Sequence, residues 1–176
     1  MTRAILTPIF ILILASTLQA QPKEPNTYYS LGAQAFIDEP ADRIANAETL
    51  WLGDITGKNK AATLAKIKGL GHLTALTFDD CDLSQINEND PVPAKVNNVG
   101  IGGHCKISQG TIRWFAKFPT DGEISFGCNV RGLELKLGKF SSATFSNCEI
   151  SRSEVAKIVE RIQQVTFIEV RLRDDK

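Results

Sequence analysis

A chain of 176 residues has room for one domain of ordinary size, and 43% hydrophobic with 23% charged residues sets it among globular rather than disordered proteins. Lys and Arg number 20, Asp and Glu number 20, and the formal charge is zero. No long-range field therefore draws the chain toward nucleic acid or an anionic membrane, and neither is expected as a partner.

The chain opens with "MTRAILTPIFILILASTLQA". One basic residue, Arg3, precedes an apolar run from Ile9 to Ala15, and a short polar region ends at Ala20. This order reads as a signal peptide over 1–20, cleaved after Ala20. The run falls short of the roughly 20 apolar residues of a membrane-spanning helix. A secreted or periplasmic protein with no stable membrane anchor after cleavage is expected. Residues 21–46 read as a linker and possible cap. "QPKEPN" carries two Pro among polar residues, and "YYSLGAQAFIDEPADRI" is placed to fold over the segment that begins at Ala47.

From 47 to 176 a pattern recurs. In "LTALTFDDCDL" the buried-type residues Leu73, Leu76, Phe78, Cys81 and Leu83 spell L-x-x-L-x-L-x-x-C-x-L. The same frame fits Phe140, Ala143, Phe145, Cys148 and Ile150, then Ile162, Val165, Phe167, Val170 and Leu172, and upstream Ala47, Leu50, Leu52 and Ile55. Two copies slip. After Val96, Val99 and Ile101 the cysteine, Cys105, arrives one residue late, and after Ile124 and Phe126, Cys128 arrives one residue early. About six irregular units result, beginning near 47, 73, 96, 121, 140 and 162. Alternation within each short run sends two side chains to one face, and one strand cannot bury them alone. Neighbouring strands stacked in parallel would. "AATLAKIKGL", "TIRWFAKF" and "SEVAKIVERI" read as helical returns, the last with Val155, Ile158, Val159 and Ile162 on one stripe. Ser151 and Glu154 have capping-box spacing, with Ser84 and Ser108 at the equivalent turn.

This frame resembles the leucine-rich repeat family in its cysteine-containing variety, whose unit spans about 20–29 residues. The resemblance covers about Ala47 to Leu172. It implies an α/β solenoid with short parallel strands on a concave face, helical or irregular returns on a convex one, and a role in binding.

Four cysteines in an exported chain ordinarily suggest two disulfides. If Cys81, Cys105, Cys128 and Cys148 sit on successive rungs, their Cα atoms lie about 4.8 Å apart. Parallel side chains then keep the Cβ atoms farther apart than the ~3.8 Å a bridge prefers. A structural ladder of buried thiols bonded to the turning backbone is favoured, and the slipped registers leave one or two bridges open. Zinc-type spacings are missing, so no metal and no cofactor are expected.

Catalytic motifs of the G-x-S-x-G, H-E-x-x-H and P-loop kinds are also missing. Asp79, Asp80 and His104 are the residues a hydrolase reading would use. What remains is a surface, formed by side chains that alternate with the buried ones. The candidate binding residues are Trp51, Ala75, Thr77, Asp79, Asn98, Glu123, Ser125, Ser142, Thr144, Ser146, Gln164 and Thr166. A non-catalytic binding module engaging a protein or glycan through this face is expected. The alternatives are a structural envelope or surface component without a specific ligand, and the hydrolase. Export is expected to remove Met1 to Ala20. Intact mass of the exported protein checks it, and retention of Met1 there would contradict it.

Overall fold

The structure, a computed structural model, describes residues 27–174. The expected signal peptide and the first residues of the linker lie outside them. In chain order the elements are β1 (Tyr28–Gly32), α1 (Ala33–Asp38), α2 (Ala41–Ile44), β2 (Thr49–Gly53), α3 (Lys60–Lys68), β3 (Ala75–Phe78) and β4 (Asn98–Ile101). There follow α4 (Gln109–Phe115), β5 (Glu123–Phe126), β6 (Ser142–Ser146), β7 (Glu149–Ser151), α5 (Arg152–Arg161), β8 (Gln164–Ile168) and β9 (Arg171–Arg173).

Seven strands make one open parallel sheet in the order β1-β2-β3-β4-β5-β6-β8, and β7 pairs separately with β9. The chain is α/β. Every large-sheet strand lies beside the strand that precedes it in that order, so each pair needs a crossover segment to bring the chain back. The pairing register reproduces the sequence frame. Leu50, Leu76, Val99, Ile124, Ala143 and Val165 lie side by side, as do Leu52, Phe78, Ile101, Phe126, Phe145 and Phe167. In β2 to β6 these residues are buried, while those between them are half-buried or exposed. Two inward rows thus run across the sheet, and each side chain rests on the one before it. Phe126 and Phe145 stack with ring centroids 5.3 Å apart, and Phe145 and Phe167 at 5.5 Å.

The segment expected as linker and cap does more than cover an end. Tyr29 and Leu31 of β1 pair beside Leu50 and Leu52, so it supplies a further parallel strand. Its frame was obscured because β1 is an edge strand with only part-buried inward residues.

Helical returns form where the sequence places them, at α3, α4 and α5. The returns from β3 to β4 and from β5 to β6 have no helix. Under the first of these, Trp114 is fully buried and donates Nε1–H to Pro91 O at 2.8 Å. It meets Phe115 and Phe118 with ring centroids 5.0 and 4.7 Å away. Aromatic pairs of this kind add about 0.5–1.5 kcal/mol each beyond the area they bury.

Ser108 caps α4 in a reciprocal box, its Oγ accepting from Thr111 N–H while Thr111 Oγ1 accepts from Ser108 N–H. The two other Ser differ from expectation. Ser151 occupies the N-cap position of α5 without a side-chain cap bond, and Glu154, the other half of the expected box, turns inward. Its Oε2 accepts from Leu135 N–H at 3.0 Å and its Oε1 pairs with Lys157. Satisfying a buried backbone donor in the irregular β5–β6 return is the stronger demand. Ser84 donates to Asp82 Oδ1 and begins no helix. Val159 also departs from the expected buried stripe and is 52% exposed, whereas Ile158 is buried. Nothing among the described residues packs beyond α5 and β8 to cover it.

Strand exits share one conformation. Asp54, Asp80, Asn147 and Glu169 all have φ between 50° and 57°, each two residues after the last inward side chain of its strand. Asp and Asn tolerate this left-handed region through local hydrogen bonding; Glu169 is the outlier in residue type. These four exits belong to the four regular frames. The slipped copies exit through Gly102-Gly103-His104 and through Gly127 alone, one residue longer and one shorter.

Phe145→Ala, at a ring buried between two others, is expected to cost about 3–5 kcal/mol. Phe167→Ala should cost distinctly less, since that ring is 38% exposed at the sheet edge. Urea unfolding midpoints of the two variants compare them directly.

Candidate functional site

The side chains between the two buried rows share the sheet's other face. Thr49, Ala75, Asn98, Glu123, Ser142 and Gln164 form one row, and Trp51, Thr77, Gly100, Ser125, Thr144 and Thr166 the next. Ser146 pairs beside Ile168 in a third, and Asp79, directly after β3, takes the equivalent place there. The expected binding residues therefore do lie on one face. They do not make one pocket, because Trp51 and Thr166 are five strand spacings apart, about 24 Å. Within the face, Thr144 Oγ1 donates to Glu123 Oε1 at 2.7 Å. Thr77, Ser125 and Ser146 border a shallow trough floored by Gly100, Gly102 and Gly127.

At the β1 end the face deepens into an open cleft of about 450 Å³, lined by Tyr28, Ser30, Leu31, Gly32, Trp51, Gly53, Asp54, Asp79 and Asp80. Trp51 is 42% exposed and Tyr28 49%. The other tryptophan, Trp114, is fully buried. Three carboxylates and no basic side chain border this space. Their positions follow from the strand exits. Left-handed backbone at Asp54 and Asp80 turns the chain directly after β2 and β3. Asp79 Oδ1 accepts the Asp80 N–H at 3.2 Å. Its carboxylate also lies where a side chain on Gly102 would be, 2.1 Å from an ideal Cβ there. Glycine at 102 leaves room for it in this orientation. Asp54 Oδ2 similarly lies 3.1 Å from an ideal Cβ on Gly32.

Of the residues a hydrolase would need, Asp79 and Asp80 reach the cleft. His104 is exposed in the β4 exit and does not line it. Sequence reasoning missed Tyr28, Ser30 and Asp54 as neighbours of Trp51. The alternation in "YYSL" and the Asp directly after "WLG" were the available signals, and they gain meaning only once β1 pairs with β2.

Behind the strand exits the cysteines are unbridged and buried. Cys81 Sγ lies 3.4 Å from Leu52 O and 3.2 Å from Asp79 O, and Cys105 Sγ lies 3.4 Å from Phe78 O. Each thus reaches back to the carbonyl closing the preceding strand. A hydrogen bond to Cys105, and then burial, push the Cys81 thiol upward. The same hydrogen bond, accepted by Cys105, moves Cys105 downward. Burial, with the neighbouring Cys105 and Cys148 adding to it, pushes Cys128 up to about 12. Burial also raises Cys148.

Among the described residues no group of His, Cys, Asp or Glu side chains is placed to hold a metal ion, and no helix is long and apolar enough to cross a membrane. Comparison with protein-family models, with curated proteins and with solved structures finds no match to this chain.

Thiol reactivity follows the electrostatics, since only the thiolate is alkylated. At pH 8 a thiol whose pKa is about 12 is ionised in roughly one molecule in ten thousand. Timed iodoacetamide labelling of the native protein is expected to modify Cys105 first and Cys128 last. Peptide mass spectrometry reads the order, and Cys128 reacting ahead of Cys105 would contradict it.

Proposed function

We propose that the chain is a secreted or periplasmic binding module of leucine-rich-repeat type, a solenoid without catalysis of its own, that engages a protein or glycan partner through its parallel-sheet face. The observation that carries this reading is the exposed Trp51 beside Tyr28 in a cleft of the sheet face. At 42% exposure, Trp51 forgoes part of the roughly 1.5–3 kcal/mol that fully burying a large apolar side chain brings. Such residues dominate binding energy where a partner covers them. Polar groups around it, Ser30 and the Asp54, Asp79 and Asp80 carboxylates, supply hydrogen-bond acceptors suited to hydroxyl or N–H donors. Farther along, the small polar side chains Thr77, Ser125, Thr144 and Thr166 offer adaptable contacts of lower energy. The recurring frame, with its Cys or aliphatic residue after each strand, supports the repeat assignment. The order of Arg3, the apolar run and Ala20 supports export.

The test separates face from fold. Wild-type protein and Trp51→Ala, lacking residues 1–20, are presented in parallel to a glycan array and to extracellular proteins of the source. The truncation should bind as a hot-spot loss of about 2 kcal/mol or more, roughly 30-fold weaker, with an unchanged unfolding midpoint. Because Trp114 is buried, a ligand-induced blue shift of tryptophan emission should vanish with Trp51. Equal binding by both proteins would overturn the assignment of this face.

A further inference from the structure

Cys81 and Cys105 are neighbours in a parallel bridge just past the strand exits. Lys106 N–H donates to Cys81 O at 2.9 Å and Leu83 N–H to Lys106 O at 2.8 Å, which pairs Asp82 with Lys106 and so sets Cys81 beside Cys105. Neighbouring parallel strands hold their Cα atoms about 4.8 Å apart, inside the roughly 4.4–6.8 Å span that disulfides use. Parallel side chains would ordinarily keep the two Cβ atoms too far apart. Here the two units are not equivalent, since the β4 exit carries one residue more than the β3 exit, and the two thiols lie close enough to shift each other's ionisation in opposite directions.

Of the three carbonyls these thiols reach, two keep another donor, and the third, Asp79 O, belongs to a half-buried residue at the strand exit. Removing both S–H donors leaves Leu52 O still bonded by Asp79 N–H at 2.9 Å and Phe78 O by Gly102 N–H at 2.7 Å. Neither buried acceptor is orphaned, so the usual penalty for an unpaired buried group does not arise there.

We propose that Cys81 and Cys105 are a disulfide-forming pair, closed by exchange with a glutathione-type disulfide, which joins the β3 and β4 exits covalently. Cys105 is the entry point. It follows the exposed Gly103-His104 turn and retains 7% exposure, against 1% for Cys81. The neighbouring Cys81 thiol favours its thiolate. That thiolate attacks one sulfur of the external disulfide, forming a Cys105–glutathione bond and releasing one glutathione thiolate. Cys81 then gives up its proton and attacks the Cys105 sulfur, forming the protein disulfide and releasing the second glutathione. Two protein thiols are oxidised, one external disulfide is reduced to two thiols, and the two protein protons end on the departing glutathiones. Cys128 and Cys148 are outside this chemistry because they lie on later units, past the bridge that sets Cys81 beside Cys105.

The experiment incubates the reduced, folded chain, without residues 1–20, with oxidised glutathione, then denatures it, alkylates it and maps its peptides. The expected result is loss of two thiols from four, one Cys81–Cys105 linked peptide, and a raised thermal midpoint relative to the reduced form. Cys128→Ala should close the same bond, and Cys81→Ala should stop at a glutathione adduct on Cys105. Four alkylated cysteines after prolonged exposure would overturn the proposal. So would a linkage that includes Cys128 or Cys148, or adducts that never resolve in the unmutated chain. The outcome is independent of whether the sheet face binds anything.

Discussion

Every strand of the large sheet is too short to bury its own side chains. Two inward residues per strand, such as Leu76 and Phe78 in β3, are covered only because Leu50 and Leu52 precede them and Val99 and Ile101 follow. The parallel register is therefore the constraint from which the remainder derives. A slip of one residue would turn the whole inward row of a strand toward water. With the register kept, the same alternation orders the opposite face, and the exits beyond it bring Asp54 near Gly32 and Asp79 over Gly102. The cleft beside Trp51 is thus a by-product of strand alignment rather than of a loop built for it.

Much of this alignment could be read directly from residue spacing. L-x-L triplets are rare signatures when they recur with a fixed downstream Cys or aliphatic residue, and the four unslipped frames give the observed register without adjustment. Long-range satisfaction of polar groups was not legible. Glu154 has capping-box spacing from Ser151, yet its carboxylate serves Leu135 N–H nineteen positions away in sequence. No local rule sees that partner. The stripe through α5 likewise predicted burial for Val159, whose exposure depends on what lies past the last strand.

The candidate site was legible as a face and illegible as a cleft. Outward positions follow from strand parity, which is why residues as scattered as Trp51, Ser125 and Thr166 share one side of the sheet. The depression itself needs β1, whose Tyr29 and Leu31 are too weakly buried to declare a strand from their pattern alone. Ser30 and Tyr28 gain their place beside Trp51 only through that pairing.

The unequal strand exits carry a further consequence. Leaving β4 takes one residue more than the regular turn and leaving β5 one residue fewer, yet the inward rows on either side stay aligned. The Cys128 thiol is still raised by both Cys105 and Cys148, so it remains near each of them. Alignment is therefore stored in the strands and their stacked side chains, and the exits act as slack. Changes of chain length confined to these turns are absorbed locally, so the segments after Ile101 and Phe126 are where such a chain can gain or lose residues, lengthening or reshaping the rim of the face, without disturbing the sheet beneath.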